Sequence, residues 1–300
     1  VRPERVVADL GRELADAGLD GSFLVRDLRT GREIGFEPDV EWPMASLVKV
    51  PLAVATLERV RRGELDGARR VAVRPEPDAP AGPPGLSWFR HPVEVAVDDL
   101  LYLSVAISDS RAADALFALT PPPEVNALLR ELGVRGLAVR HDLDPLTDTP
   151  VERFAPTEVH LAHSLAAVAG TPGRGHPVAQ LDVTRANAGS ARAFTDLLQA
   201  LWLPSAINGE VAARVRELMS LNVLRHRLAP DFTSDATRWS SKTGTLLTLR
   251  HEVGVVEHDD GQVFAVAALT GSTVPAAAQP GAEAVMGRVA RGLRDCLRLR

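Results

Sequence analysis

The chain has 300 residues, 45% of them apolar and 24% charged, a globular balance that excludes wholesale disorder and a collagen-like repeat. Its formal net charge is −5, from 34 basic and 39 acidic side chains, so no excess of positive charge is available for a nucleic-acid footprint. No run of about eighteen apolar residues offers a membrane span, and the single cysteine, Cys296, can neither close an intramolecular disulfide nor build a thiolate zinc site.

In chain order, residues 4–17 read as an amphipathic helix with Val6, Val7, Leu10, Leu14 and Ala15 on one side. Gly21–Asp27 and Arg32–Phe36 form a hairpin around Arg29-Thr30-Gly31. A helix begins near Ser46 and runs to about Arg62, with Pro51 early, where a first turn tolerates proline. Residues 74–92, rich in Pro and Gly, read as irregular loop. Val97–Ser104, Arg111–Leu119 and Pro121–Leu132 read as helices, then 138–156 as a loop. Thr157–Ala169 is a helix opened by a Thr cap and closed by Gly170, Thr171–Pro177 a turn, and Ala191–Leu203 and Gly209–Leu221 are further helices. The pattern then changes to strands at Ser240–Thr245, Arg250–Glu257 and Gln262–Leu269, the last two joined by Asp259-Asp260-Gly261, and a helix over about Ala282–Arg298 closes the chain.

Strands at both ends with helices between them predict an α+β fold. One antiparallel sheet would be made from both chain ends and flanked by the first and last helices, with an all-helical block inserted. The expected boundaries are 1–45 with 236–300 for the sheet-plus-helix part and 46–235 for the mainly helical part, packed as one continuous unit and a monomer. The start, Val1-Arg2-Pro3-Glu4-Arg5, lacks the basic-then-apolar layout of a signal peptide, which slightly favours the cytoplasm over secretion with a signal removed.

Of the 34 basic residues only two are lysines, Lys49 and Lys242. A bias towards Arg has replaced Lys nearly everywhere, so the positions that kept it point to sites needing a compact ammonium that can lose its proton. Lys49 lies in Ser46-Leu47-Val48-Lys49, where residues i and i+3 of a helix start share a face. A neutral Lys there can take the serine proton, and backbone N–H groups at the helix start favour developing negative charge. Ser108-Asp109-Ser110 lies between two helices and offers a hydroxyl to relay a proton. Lys242-Thr243-Gly244-Thr245 on a strand offers a cation, two hydroxyls and a glycine that lets a substrate backbone approach. Singly, each has a plainer reading: helix caps for Ser46 and Ser108, an edge-strand charge for Lys242. Their joint occurrence in this order favours catalysis, since a chance Lys-Thr-Gly alone is expected about 0.01 times in such a chain.

These three motifs resemble those of the penicillin-recognising serine hydrolases, and most of all the class A β-lactamases. The likeness covers most of the chain, including the first hairpin, the Pro43-Met44-Ala45-Ser46 approach, the closing strands and the last helix. The resemblance implies that Ser46 is the acylated nucleophile and Lys49 the acylation base. It implies that Ser108 shuttles the proton to the departing nitrogen, and that Lys242 and Thr245 bind a substrate carboxylate beside Thr243 and Gly244. The oxyanion hole would use the backbone N–H groups of Ser46 and Thr245. Arg250 either adds carboxylate charge or is an ordinary sheet-surface Arg.

Two departures from the family pattern stand out. Ser110 replaces the usual Asn, whose amide contacts the side-chain amide of a β-lactam. The loop Arg140–Asp148 has no Glu at the place of the residue that activates the hydrolytic water. Asp144, followed by Pro145, is the nearest substitute, with Asp148 four residues on and Glu152 and Glu158 as rivals. Each of these acids alone also reads as a solvated loop or cap residue. The 149–190 segment is longer than the family usually shows.

Other residues point elsewhere. His160 and His163 have a metal-compatible spacing but no third ligand, so surface or packing roles are expected, and no metal or organic cofactor is implied. Asp98-Asp99 suits a helix N-terminus, Gly82–Gly85 has no phosphate-cradle spacing, and Trp88, Trp202 and Trp239 are expected in the core. The expected activity is hydrolysis of a β-lactam, or a related carboxylate-bearing amide or ester, through an acyl-Ser46. The alternatives are a D-alanyl-D-alanine peptidase, an esterase or amidase with the same residues, and a non-catalytic ligand-binding protein.

Overall fold

The computed structural model describes residues 3–75, 84–147, 149–155, 157–168 and 175–298. In chain order the elements are α1 (Pro3–Asp16), β1 (Leu19–Asp27), β2 (Glu33–Phe36), β3 (Glu41–Pro43), α2 (Lys49–Arg61), β4 (Arg70–Val73), β5 (Val93–Ala96), α3 (Val97–Ala106), α4 (Ser110–Leu119) and α5 (Pro122–Glu131). They continue as β6 (Leu137–Ala138), α6 (Pro150–Arg153), α7 (Val159–Val168), β7 (Ala188–Ser190), α8 (Ala191–Trp202), α9 (Gly209–Ser220), α10 (Ala229–Phe232), β8 (Thr237–Leu246), β9 (Leu249–His258), β10 (Val263–Ser272) and α11 (Pro280–Arg298).

The main sheet is antiparallel with strand order β2-β1-β10-β9-β8. It joins the two chain ends, because β1 runs against β10 from Leu19 opposite Ser272 to Asp27 opposite Phe264. The two-residue period of a strand sorts its apolar side chains onto two faces. Phe264, Val266 and Ala268 of β10 pack with Leu14, Val285, Met286 and Leu293 of α1 and α11. The alternate residues Ala265, Ala267 and Leu269 face a larger core shared with α2 and α8. Both faces are covered, as the expected helix-flanked sheet requires. Burying a side chain the size of Phe23 or Phe264 on such a face contributes about 1.5–3 kcal/mol.

Helix α2 runs through the middle of the larger core, and every residue from Lys49 to Glu58 is buried. A helix buried all round reads as apolar on every face, and here Lys49, Thr56 and Glu58 are the exceptions. Glu58 is paired at the helix end by Arg61 and Arg62. Its N-terminal turn is tighter than expected: Ala45–Val48 is a 3-10 turn, and the α-helix proper starts at Lys49.

Several expectations need correction. The 74–92 stretch is irregular where it is described, apart from a 3-10 turn at Leu86–Trp88, but an unforeseen ribbon flanks it: β4 and β5 pair from Arg70 opposite Ala96 to Val73 opposite Val93, and residues 76–83 lie outside the described residues. A small second sheet, β3-β7-β6, joins Glu41–Pro43 to residues 188–190 and 137–138. The loop at 138–156 contains a 3-10 turn at Asp144–Thr147 as well as α6. Gly170, the expected stop of the Thr157–Ala169 helix, and most of the Thr171–Pro177 turn lie outside the described residues. Trp239 is buried and stacks on Phe232 at 4.9 Å, but Trp88 is 64% exposed, so it is not a core residue. The added segment has a definite berth: Ala166, Val178 and Leu181 pack on Leu247 and Leu249 at the turn between β8 and β9. No described helix is long and apolar enough to cross a membrane.

Candidate active site

The site forms where the start of α2, the α3–α4 junction and β8 converge. Ala45, just before Ser46, has φ +46°, and Ser108, at the junction, has φ +63°. Both lie in the left-handed region that non-glycine residues rarely adopt, and such strain persists only where the surroundings over-determine it. At Ser108 the surroundings are visible. The Asp109 carboxylate caps α4 by accepting from Ala112 N at 3.1 Å and also accepts from Leu86 N at 2.7 Å, while Asp109 N donates to Leu103 O at 3.0 Å. At Ala45 the anchor is His251 on β9, whose Nε2 donates to Pro43 O at 2.9 Å while its Nδ1 accepts from Thr270 N at 3.0 Å. Burial lowers the His251 ring to about 4, so it is neutral, as one donor and one acceptor require.

Lys49 is fully buried, and its Nζ lies within hydrogen-bond distance of four oxygens: Ser46 Oγ at 3.2 Å, Ser108 O at 2.6 Å, Ser108 Oγ at 3.3 Å and Ser110 Oγ at 3.3 Å. Lys242 approaches from the opposite side, with Nζ 2.9 Å from Ser108 Oγ and 3.0 Å from Thr243 O. The Ser108 hydroxyl therefore bridges the chain's only two lysines. Burial lowers the Lys49 ammonium to about 7, partly opposed by the carboxylates of Asp109 and Asp114. Lys242 is pushed well below its ordinary value by burial, then by Lys49 and Arg227, with Glu252 pulling the other way. The positive charge expected of Lys242 is therefore opposed by its burial and by two neighbouring cations and supported by the carboxylate of Glu252.

On β8, Gly244 passes so close to the approach to Ser46 that a Cβ would lie 3.0 Å from Met44 O and 3.2 Å from Leu47 Cγ. Thr243 and Thr245 flank it on one side of the pleat. Thr243 is 1% exposed and its hydroxyl has no hydrogen-bond partner, whereas Thr245 is exposed. Thr245 Oγ1 accepts from Arg227 Nη2 at 2.8 Å.

A family model described as the beta-lactamase enzyme family matches residues 4–297. The chain belongs to this family. It is 62% identical to the beta-lactamase regulatory protein BlaB of Streptomyces cacaoi, over 98% of both chains. It is 35% identical to beta-lactamase L2 of Stenotrophomonas maltophilia, over 36% of this chain and 35% of the relative. Its fold is similar to that of a solved beta-lactamase from Sphaerobacter thermophilus, with TM-score 0.76 and 21% identity over 100% of this chain and 99% of that one. It is also similar to a PBP-A variant solved as an acyl-enzyme complex with penicillin G, with TM-score 0.75 and 17% identity over 99% and 97%.

Within this beta-lactamase fold, the side chains of Ser46, Lys49, Ser108, Ser110 and Lys242 are joined by hydrogen bonds. Arg250 is elsewhere. It is 1% exposed, donates to the carbonyls of Leu247, Leu249, Ala276 and Ala277, and pairs with Glu283, so neither a carboxylate-facing nor a sheet-surface reading describes it. The cation that does reach Thr245 is Arg227, which sequence reasoning missed. It is buried, donates to Gly244 O and His251 O at 2.9 Å each, and pairs with Glu283. Glu252, also missed, is buried behind β8 and accepts from Trp239 Nε1, Ser241 Oγ and Leu228 N at 2.7–2.9 Å.

Asp144 is exposed on its 3-10 turn, and Glu158 is exposed just before α7. Asp148 and the side chain of Glu152 lie outside the described residues. A second acid that sequence reasoning missed, Asp114 on α4, interacts electrostatically with Asp142, Asp144 and Lys49. His160 is exposed, His163 is buried with Nδ1 unpaired, and no metal-binding group of three is present among the described residues. Asp98 and Asp99 lie in the first turn of α3, as the helix-dipole reading expects.

Proposed function

We propose that the protein is an active-site serine acyl-transfer enzyme that opens a β-lactam, or a related amide or ester carrying a carboxylate, through an acyl-Ser46. The observation that carries this reading is the Ser108 hydroxyl bridging Lys49 and Lys242, with Lys49 also on Ser46 Oγ. At neutral pH a substantial fraction of Lys49 is free base, so its Nζ takes the Ser46 proton as Oγ attacks the carbonyl. The backbone N–H groups of Ser46 and Thr245 receive the oxyanion. Ser108 then gives its proton to the departing nitrogen and is reprotonated from Lys49. The substrate carboxylate lies against the hydroxyls of Thr243 and Thr245, and its charge favours the protonated form of Lys242 against the burial that opposes it. Arg227 adds positive charge behind Thr245.

A second reading concerns the fate of the acyl group. The relative that is 62% identical is named a regulatory protein, and the loop acid nearest the usual Glu is the shorter, exposed Asp144. Both favour a long-lived acyl-enzyme, in which the same chemistry would register a ligand rather than destroy it. The test is intact mass against time after adding a penicillin. A gain equal to the drug, absent in Ser46→Ala, supports the acyl-serine; its decay within seconds marks a hydrolase and its persistence a receptor. No gain in the unmodified protein refutes acylation by β-lactams.

A further inference from the structure

The two N–H groups that receive the oxyanion in the function proposed above belong to separate elements, Ser46 to the 3-10 turn before α2 and Thr245 to β8. Such a pair of donors stabilises developing charge only when its spacing is fixed in advance, so the turn must be tied to the strand. The two meet over Gly244: Met44 O, Leu47 Cγ and His251 Cβ lie 3.0, 3.2 and 3.4 Å from the position a Gly244 Cβ would take. His251 stands directly opposite Gly244 on β9, which puts its side chain on that same face. The imidazole reaches past the missing side chain to Pro43 O, three residues before Ser46.

The tautomer follows from the partners. A backbone N–H can only donate, so the 3.0 Å bond from Thr270 N leaves Nδ1 bare and puts the ring proton on Nε2, where Pro43 O accepts it at 2.9 Å. One ring therefore joins β10, β9 and the approach to Ser46. Its surroundings hold it there. Trp42, next to Pro43, stands nearly perpendicular to the ring at 6.2 Å between centroids and donates Nε1 to Ser22 Oγ on β1 at 2.8 Å. Arg227 Nη1 donates to both His251 O and Gly244 O at 2.9 Å, which clamps β9 to β8 at this pair. After Pro43 the chain passes through the left-handed Ala45, φ +46°, straight into Ser46. Without its anchor Ala45 would relax towards an ordinary conformation, and Ser46 would turn with it.

We propose that His251 is a positioning residue for acyl transfer: its Nε2–H holds the Pro43–Ser46 turn against β8 and β9, so that the N–H groups of Ser46 and Thr245 converge on one oxygen. This rests on the function proposed above. His251 is fully buried and acts through the spacing of the two donors. That spacing serves the transition state, where charge develops on the oxygen, and not the complex that precedes it.

Two amides separate the arms of the ring. His251→Asn places an oxygen near the position of Nδ1 for Thr270 N but ends short of Pro43, whereas His251→Gln extends its amide nitrogen about as far as Nε2. Intact mass against time at several penicillin concentrations gives the acylation rate and the affinity of the complex before reaction. His251→Asn should acylate about 100-fold more slowly with that affinity unchanged, and His251→Gln should recover most of the loss. An Asn variant that acylates at the unmodified rate overturns the proposal, as does an equal loss in both variants. A second measurement needs neither variant nor substrate. In the unmodified protein labelled with nitrogen-15, coupling across the hydrogen bond from Thr270 N identifies the His251 ring, whose other nitrogen should carry the proton. Absence of that coupling, or a proton on Nδ1, overturns the proposal even if both variants fail to fold. A protein that shows the coupling but takes up no penicillin would refute the acyl-transfer reading instead, and the positioning role would fall with it.

Discussion

Replacing Lys49 by Met tests the electrostatics of the site through stability, without any substrate. The amine is fully enclosed and its folded value is about 7, against about 10.4 for a lysine in an unfolded chain. Between these two pH values the unfolded chain binds one more proton than the folded one. Stability of the unmodified protein therefore rises with pH across that window, by about 1.4 kcal/mol per unit from this group. Met cannot titrate, and the remaining groups are the same in both chains, Lys242 and Asp114 being the ones whose own titration Lys49 influences. The stability of Lys49→Met relative to the unmodified protein should thus be more favourable at pH 7 than at pH 9, by about 2 kcal/mol. Its absolute value is less informative, because Met also forfeits the bonds to Ser46, Ser108 and Ser110. Urea unfolding at pH 7, 8 and 9 measures the difference, with the slopes against urea compared to check that the unfolded states match. Two stability curves that stay parallel would mean that Lys49 carries an ordinary proton in the folded protein, and the free-base mechanism would fall with it.

Gly244→Ala should cost about 1–3 kcal/mol, because the new methyl meets the Met44 carbonyl, a backbone atom with little room to move. It should slow acylation by about tenfold through displacement of the turn that carries Ser46; full-speed acylation in a normally stable variant would contradict this geometry. Arg227→Lys keeps the charge but cannot serve Gly244 O, His251 O and Thr245 Oγ1 together. Acylation by carboxylate-bearing substrates should fall about tenfold while a neutral ester is little affected; equal losses for both would assign Arg227 a purely structural role.

What the sequence made legible was local or rare. Ser46 and Lys49 are three residues apart on one turn, and the two lysines stand out against a background of arginines, so the cluster that the hydrogen bonds join could be picked out in the sequence. The apolar run within Gln262–Leu269 marked the last strand, which is buried on both faces. Arg227 had neither advantage, since one arginine among many gives no signal and its partners, Gly244, His251 and Glu283, are brought to it only by the fold. His251 and Glu252 are adjacent polar residues of one strand, and nothing local says that both are enclosed. Asp114 was hidden for a different reason. The expected carboxylate was sought in the loop, whereas its perturbation comes from burial and from acids more than twenty residues away in the chain. The β4–β5 ribbon was missed because each strand has four residues and Pro- and Gly-rich sequence separates them.

The pairing of β1 with β10 also bears on how the molecule comes into being. Leu24 finds its neighbour in Ala267, so during synthesis β1 waits for nearly the whole chain to follow it. At ribosomal speeds of about 5–20 residues per second, that wait is on the order of 10–50 s. The early hairpin with β2 covers one edge of β1 at once, but the other edge, bearing Phe23, Leu24 and Val25, stays open until the last strand emerges. A nascent chain of this protein therefore carries an open strand edge, and that exposure outlasts the translation of Lys242, ending only when β10 emerges.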